Sequence, residues 1–394
     1  MKIETLEALR PRFDSFMSRF DDCIRTRPSR RHLHTYVNGQ LGPLARKSVE
    51  PIALEAGVPP RSLQEFLEIH KWDEQKLAAR VRTETVTRHP SASAIAVIDE
   101  TGFAKKGEKT AGIQRQYCGA TGKIDNCVIT VHLGYVTDDF HTLVDSDLYL
   151  PRKTWALDPD RRRAAGIPDD LVFRPKWRIA LDLLTRSAAD GVRFKYAVAD
   201  EEYGKVPEFR RGLANLELLY VLEVPTSTYG WTAAMAGRAE RARRVDALWE
   251  RGGPSWRTYH VKDTEKGAVV WEARAVRFSP REDQEPGEER WLLVVRNVVS
   301  GEVKYFLSNL PADAPCENIL HVAFTRAEVE QLFEECKGEV GIEHFEVRHY
   351  RPLMRHLALS MVSLLFLNEE ARRLRGKKPV VEHLADPSGD RRAA

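Results

Sequence analysis

The stretch that most constrains this chain is residues 94–101, AIAVIDET, in which small and β-branched residues run directly into Asp99 and Gly102 follows. An apolar run of this length and composition reads as a buried strand over 95–98. A carboxylate at the exposed end of such a strand is aimed by a rigid sheet, so Asp99 is the first candidate metal ligand. About a hundred residues on, 194–199 (FKYAVA) forms a second short apolar strand that delivers Asp200 just before Tyr203 and Gly204. Two strand-end aspartates predict one shared site.

With 394 residues, 42% hydrophobic and 30% charged, the chain can bury a sizeable core and form two or three domains of about 100–200 residues each. The longest apolar run, 357–367, carries two serines and falls short of the roughly 18 residues of a membrane span. No signal-peptide pattern opens the sequence. No membrane partner is expected, and the cytoplasm is the expected location. Cys23, Cys118, Cys127, Cys316 and Cys336 contain no CxxC pair, which leaves them reduced and structural. The 61 basic and 58 acidic residues give a net charge of only +3. Local clusters at 25–31, 161–163, 238–244 and 372–378 are nonetheless rich in arginine and suit either phosphate contact or solvated helix faces.

Residues 1–90 read as a helical, DNA-binding domain. Within it, 48–56, a Gly57-Val58-Pro59-Pro60 turn and 62–70 have the form of helix, turn, helix, with Ser62 as N-cap and Glu65 closing a capping box. The second helix, with Arg61 at its start, would enter a major groove; the alternative is an ordinary helical hairpin. From residue 93 the pattern changes to strands: the Asp99 strand, a turn at Lys105, Lys106 and Gly107, then strands over 126–137 and 140–150. A helix opened by Pro175 follows, then the Asp200 strand, a short helix at 207–216 and a strand at 218–224. The order β, β, β, α, β, α, β over 91–225 resembles the ribonuclease H-like fold, an α/β (α+β) architecture with a mixed five-stranded sheet. Antiparallel strands at 256–262, 268–278, 290–299 and 304–309 make 226–315 a β-rich insertion. Its Trp231, Trp256, Trp271 and Trp291 read first as sheet packing and second as platforms for an unpaired base. The fold then resumes over 316–375, and 376–394 reads as a disordered, truncated tail.

The helix over 325–337, TRAEVEQLFEECK, is expected to start at Thr325, capped with Glu328. Arg326, Glu330 and Lys337 share one face, and Val329, Leu332, Phe333 and Cys336 form the apolar one. Alone, that face is a salt-bridged surface. Together with IDETGFAKKGEKTAGIQRQYCGATGKIDNC around Asp99, ADEEYG at Asp200 and FEECKGEVGIEHFEVRHYRPLMRH after Glu330, it resembles the Y-R-E-K branch of bacterial DDE transposases, insertion-sequence 701 group, from about residue 15 to about 370. The signature tyrosine position is Ala323 here.

The resemblance implies an insertion-sequence transposase that binds double-stranded DNA, both terminal inverted repeats and target, as a homodimer in a synaptic complex at the bacterial nucleoid. It implies a D-D-E triad of Asp99, Asp200 and Glu330 holding two Mg²⁺ ions, with Mn²⁺ able to substitute. Asp99 would bridge the ions, and Asp200 and Glu330 would hold one each. Arg326, Lys337, Lys105, Lys106 and Arg61 are the expected DNA contacts. Glu334, Glu335, Glu339 and Glu343 compete with Glu330 for the third place; Glu100 is set aside because strand alternation turns it from Asp99. The 102–108 loop, GFAKKGE, approaches a phosphate-binding loop but has Glu108 at the lysine position, so no nucleotide cofactor is expected. The alternative function is a catalytically inactive, transposase-derived DNA-binding protein.

Overall fold

In a computed structural model of the chain, residues 9–236, 240–248, 254–264 and 267–375 are described, without the side chains of 261–264, 267–269, 327 and 328. The expected tail, the basic residues Arg238, Lys377 and Lys378, and the Glu328 cap lie outside that description.

Five helices open the chain: α1 (Leu9–Ser18), α2 (Arg27–Leu41), α3 (Val49–Glu55), α4 (Pro60–Glu68) and α5 (Glu74–Arg88). Caps set their starts. Thr26 accepts from the Ser29 amide, and Asp73 accepts from those of Gln75 and Lys76, satisfying donors that a helix leaves orphaned. Between α3 and α4, Gly57 takes φ +65°, a conformation that glycine adopts without steric cost. Contrary to the expected Ser62 cap, α4 starts at Pro60, with Pro59 as its N-cap. Proline is preorganised for the first helical position, so Ser62 lies inside the first turn and Glu65 accepts from Arg61 instead, at 2.8 Å.

The sheet is built from β1 (Ile95–Ala104), β2 (Gln114–Cys118), β3 (Lys123–Val136), β4 (His141–Leu148), β5 (Tyr196–Ala199) and β6 (Leu219–Val224). β1 pairs antiparallel with β3 along its whole length, and β3 with β4. On its other edge β1 pairs parallel with β5, but only from Ile95 to Val97, and β5 pairs parallel with β6. The resulting order β4-β3-β1-β5-β6, with two antiparallel and two parallel pairings, is the mixed sheet of a ribonuclease H-like fold. β2 forms a hairpin with the start of β3.

The sheet continues past β6. β7 (Tyr229–Thr232), β8 (Arg257–Thr264), β9 (Gly267–Glu282), β10 (Arg290–Asn297) and β11 (Val303–Ser308) follow in the chain, and β11 pairs antiparallel with β6. β10 pairs with β11, β9 with β10, and β7 and β8 with β9. The tryptophans serve this sheet: Trp271 packs on Phe324, Trp231 and Trp291 donate to the Glu240 and Pro311 carbonyls, and Trp256 stacks between Arg274 and Arg296.

Helices cover both faces. Ile179, Ala180, Leu183 and Leu184 of α6 (Lys176–Ala189) join Ala96, Ile98 and Tyr135 in one core, while Val97, Val198 and Val221 pack on the opposite face against Ile319, Leu320 and Val322. Those last three belong to α9 (Cys316–Thr325), which follows α7 (Glu201–Gly204) and α8 (Pro207–Asn215). α10 (Ala327–Glu335) continues from α9, so the helix expected to begin at Thr325 begins nine residues earlier. Its apolar period extends upstream, and the Thr325 hydroxyl donates back to the His321 carbonyl at 2.9 Å rather than capping. Arg326 stands at the junction.

The apolar run at 357–367 lies in α11 (Tyr350–Arg375), 26 residues long. It is apolar on nearly every side because it is covered on nearly every side, by the N-terminal helices and by β4. Its polar members are paired inside: His356 with Tyr36 at 2.9 Å, and Ser360 and Ser363 with Gln40 at 2.8 Å each. Among the described residues, no helix is long and apolar enough to cross a membrane.

Candidate active site

Asp99 lies in the middle of β1, not at its end as expected, because the long ladder with β3 carries the strand on to Ala104. What exposes it is the neighbour: β5 stops at Ala199, so the edge of β1 is uncovered from Ile98 onward. The chain leaves β5 through Asp200, which caps the short α7 by accepting from the Glu202 amide at 3.0 Å. Gly204 then passes so close to β6 that a Cβ would sit 2.0 Å from the Glu223 carbonyl oxygen. That approach only glycine permits, and it sets Glu223 beside the Asp200 turn. Three acids thus stand side by side on adjacent parallel strands, Asp99 within β1, Asp200 just past β5 and Glu223 near the end of β6.

Two cations serve them: Arg326 reaches all three, and Lys304 stands 3.6 Å from Glu223. The Arg326 guanidinium lies 3.4 Å from Asp99 and 3.7 Å from Glu223, and its charge also reaches Asp200. Its Nε is buried without a hydrogen-bond partner. Burial and the neighbouring charge of Asp200 push the Asp99 carboxyl up to about 7, against the pull of Arg326 and of the Glu100 amide, which donates to Asp99 at 2.8 Å. Burial likewise raises Asp200 above the ordinary carboxylate range, opposed by Arg326. Desolvated carboxylates short of positive charge favour a proton or a metal ion.

Glu100 points to the opposite face, where it accepts from Tyr203 at 2.8 Å and pairs with Lys176. Glu202 turns out to Lys205, 2.6 Å away. Glu330 is exposed on α10, one helical turn from Arg326. Among the described residues, no three His, Cys, Asp or Glu side chains are gathered as a metal-binding group. Of the other acids on that stretch, Glu335 is held by His141 and Gln331 at 2.9 Å each, and Glu334 and Glu339 are exposed.

The expected DNA contacts are dispersed. Lys337 sits half-buried in a π-helical turn after α10, and its charge reaches the buried His132, whose imidazole burial holds near 3. His132 stands directly across the ladder from Asp99. Lys106 is exposed. Lys105 is turned inward, its ammonium donating to the carbonyls of Glu343 and Phe345 at 2.6 and 2.7 Å. Arg61 is exposed and paired with Glu65.

Glu223 is the site residue that sequence reasoning passed over. The signal was present, since 219–224 (LYVLEV) carries an acid next to its last residue, and nothing in sequence placed it beside Asp200. Tyr203 was noted only as a landmark, and its anchoring of Glu100 shows only in space.

The sequence signature described as "DDE superfamily endonuclease" matches residues 19–277, which include Asp99 and Asp200 and stop short of Glu330. A protein of Microchaete diplosiphon described as "Probable transposase for insertion sequence element IS701" is 30% identical over 217 residues, 54% of this chain and 53% of that protein. The chain therefore spans about half the length of this curated relative. With that signature covering well over half of the chain and laid on a ribonuclease H-like sheet that carries paired aspartates, the chain belongs to the DDE superfamily endonucleases.

Proposed function

We propose that this chain is the DNA transposase of an insertion sequence, acting at the bacterial nucleoid. In this reading it binds terminal inverted repeats, pairs two ends as a homodimer in a synaptic complex, and cleaves and transfers strands with Asp99, Asp200 and Glu330. The similarity to a protein described as a probable insertion-sequence transposase supports DNA as the substrate. The observation that carries the chemistry is the charge deficit at Asp99 and Asp200, two desolvated carboxylates that, among the described residues, share the guanidinium of Arg326 with Glu223, which has Lys304 as well.

Those half-buried oxygen donors fit a hard divalent cation, Mg²⁺ with Mn²⁺ able to substitute. Asp99 and Asp200 would hold it, and Glu330 would be the third ligand of a two-ion site. When bound, such ions lower the pKa of a water and neutralise charge on the attacking and leaving oxygens. The rest falls to the chain. The amides of Glu100 and Glu202 fix the Asp99 and Asp200 carboxylates, and Tyr203 with Lys176 keeps Glu100 out of their way. Arg326 and Lys337 contact phosphates beside the bond, with Lys106 and Arg61 further out. No side chain serves as nucleophile: water cuts first, and the freed 3′-hydroxyl then attacks the target strand.

The test is cleavage of a labelled duplex carrying the element's own ends with Mg²⁺ or Mn²⁺, for the parent protein and for Asp99→Ala, Asp200→Ala and Glu330→Ala. Cutting by the parent and binding without cutting by all three variants is expected. If Glu330→Ala still cuts and Glu223→Ala does not, the third carboxylate comes from β6. A second reading, a DNA-binding relic, draws on the guanidinium resting on Asp99 while Glu330 faces solvent; binding without cutting by the parent itself is its signature.

A further inference from the structure

We propose that the cleft at the far end of β1 is a second DNA-contact site, which takes the phosphodiester backbone of the strand flanking the bond held at Asp99. It rests on the reading of this chain as a DNA-cutting enzyme and adds where the flanking strand runs. The cleft has a volume of about 700 Å³; Lys105 and Phe345 line it together with Arg46, Lys106, Thr121 and Arg348. The acidic strand ends do not border it.

Its cations are disposed for an anion. Lys105 stands over the Phe345 ring, 3.6 Å from the centroid, and spends two of its three hydrogens on the Glu343 and Phe345 carbonyls. The third is left for a ligand. Burial lowers the Lys105 ammonium to about 8, and the nearby Glu343 charge only partly offsets this, so an anion in the cleft would relieve a desolvated charge. Among the described residues, Lys106 and Arg348 have no carboxylate partner, and Arg46 has Glu346 at 2.7 Å. Four cations and two glutamates line the walls, a balance that suits a polyanion.

Position selects which one. Asp99, Thr101, Phe103 and Lys105 alternate onto one face of β1, and the Lys105 amide continues the ladder by donating to Asn126 at 2.9 Å. Six residues at about 3.3 Å each put Lys105 roughly 20 Å from Asp99. At about 3.4 Å per nucleotide along a strand, that is about six nucleotides from the bond to be cut. A DNA backbone spans that distance on one surface; a free phosphate ion does not.

The test compares the full chain with Lys106→Ala/Arg348→Ala and with Thr121→Glu, which adds a repelling charge at the exposed rim without removing a cation. Affinity for a 30-bp duplex is measured against salt, and backbone protection is mapped by hydroxyl-radical cleavage. Each phosphate contact contributes about 0.9 to the slope of log affinity on log salt, so the double variant should lower that slope by about 2. Thr121→Glu should weaken binding several-fold. Both should erase protection about six nucleotides from the cut and leave the rest, with an unchanged thermal midpoint. An unchanged slope and footprint, or a loss of protection spread evenly over the duplex, overturns the cleft while leaving the proposed function standing. Competition by millimolar inorganic phosphate alone, with the footprint unmoved, also overturns it. If the parent binds no duplex under any condition, the proposed function itself falls.

Discussion

Two clusters of charge lie within this fold, and they are assembled on opposite terms. Where α5, β4 and α6 meet, Asp145 accepts from Arg186 at 2.8 Å and is ion-paired with Arg82 at 2.9 Å, Asp190 accepts from Arg82 at 2.6 Å, and Asp147 and Asp182 share Arg174 at 3.1 and 3.0 Å. Burial works against the Arg186 charge, and its bonds to Asp145 more than restore it. At the strand ends, Asp99 and Asp200 share one guanidinium with Glu223, which also has Lys304, and the two aspartate carboxyls are pushed upward. A buried pair with matched hydrogen bonds holds elements together; a buried deficit is costly unless something is bound there. The first cluster joins the N-terminal helices to the sheet, and the second is where chemistry is expected.

Breaking the matched cluster should have the largest effect on stability. Asp145→Ala leaves the buried Arg82 without its buried carboxylate partner and should cost ~3–5 kcal/mol in urea unfolding. Asp99→Asn should cost none and yet lower DNA cleavage by about 10²–10³-fold or more, the scale of losing preorganised charge at a reacting centre. An equal stability loss in both variants would erase the distinction.

A divalent cation should separate them next. At a hundredfold excess over its dissociation constant, Mg²⁺ or Mn²⁺ should stabilise the parent by about 2.7 kcal/mol, read as a rise in thermal midpoint. Asp145→Asn, if folded, should keep that response and Asp99→Asn/Asp200→Asn should lose it.

The pH dependence is smaller. Asp99 rises from an unfolded value of about 3.9 to about 7 in the fold, so between those values the folded state binds more protons than the unfolded one. Metal-free stability should therefore fall as pH rises from about 4 to about 7, by at most ~1.4 kcal/mol per unit from this group. Asp99→Asn should flatten that slope in denaturant titrations.

The smallest effect sharpens the role of Arg326. Glu223→Gln removes one of the two acids on Arg326 and a partner of Lys304, long contacts at 3.7 and 3.6 Å together worth about 0.2–1 kcal/mol. Stability should move within that range, while release of Arg326 should change the metal concentration needed for half-maximal cleavage.

Much of this molecule could be read along the chain. The runs at 95–98, 196–199 and 219–224 show their period and branching in one dimension, so the mixed sheet and the two aspartates at its centre were legible. Pro60 is a local signal that was available and outranked Ser62. The start of α9 at Cys316 was hidden for a different reason: a helix begins where its apolar face finds a partner, and that partner is Val97, Val198 and Val221, more than a hundred residues away. The placement of β11 against β6 is likewise a pairing across some eighty residues.

By itself, the order of residues determined the strand identities and the positions of Asp99, Asp200 and Arg326 along the chain, because these depend on side-chain type and local spacing. Only the tertiary structure decided which charges are matched and which are not. Lys105 looks as free as Lys106 in sequence and is turned inward onto Phe345; Glu223 looks incidental and stands beside Arg326. Burial and partner count are properties of the packed chain, and they separate a charge that binds from a charge that only holds.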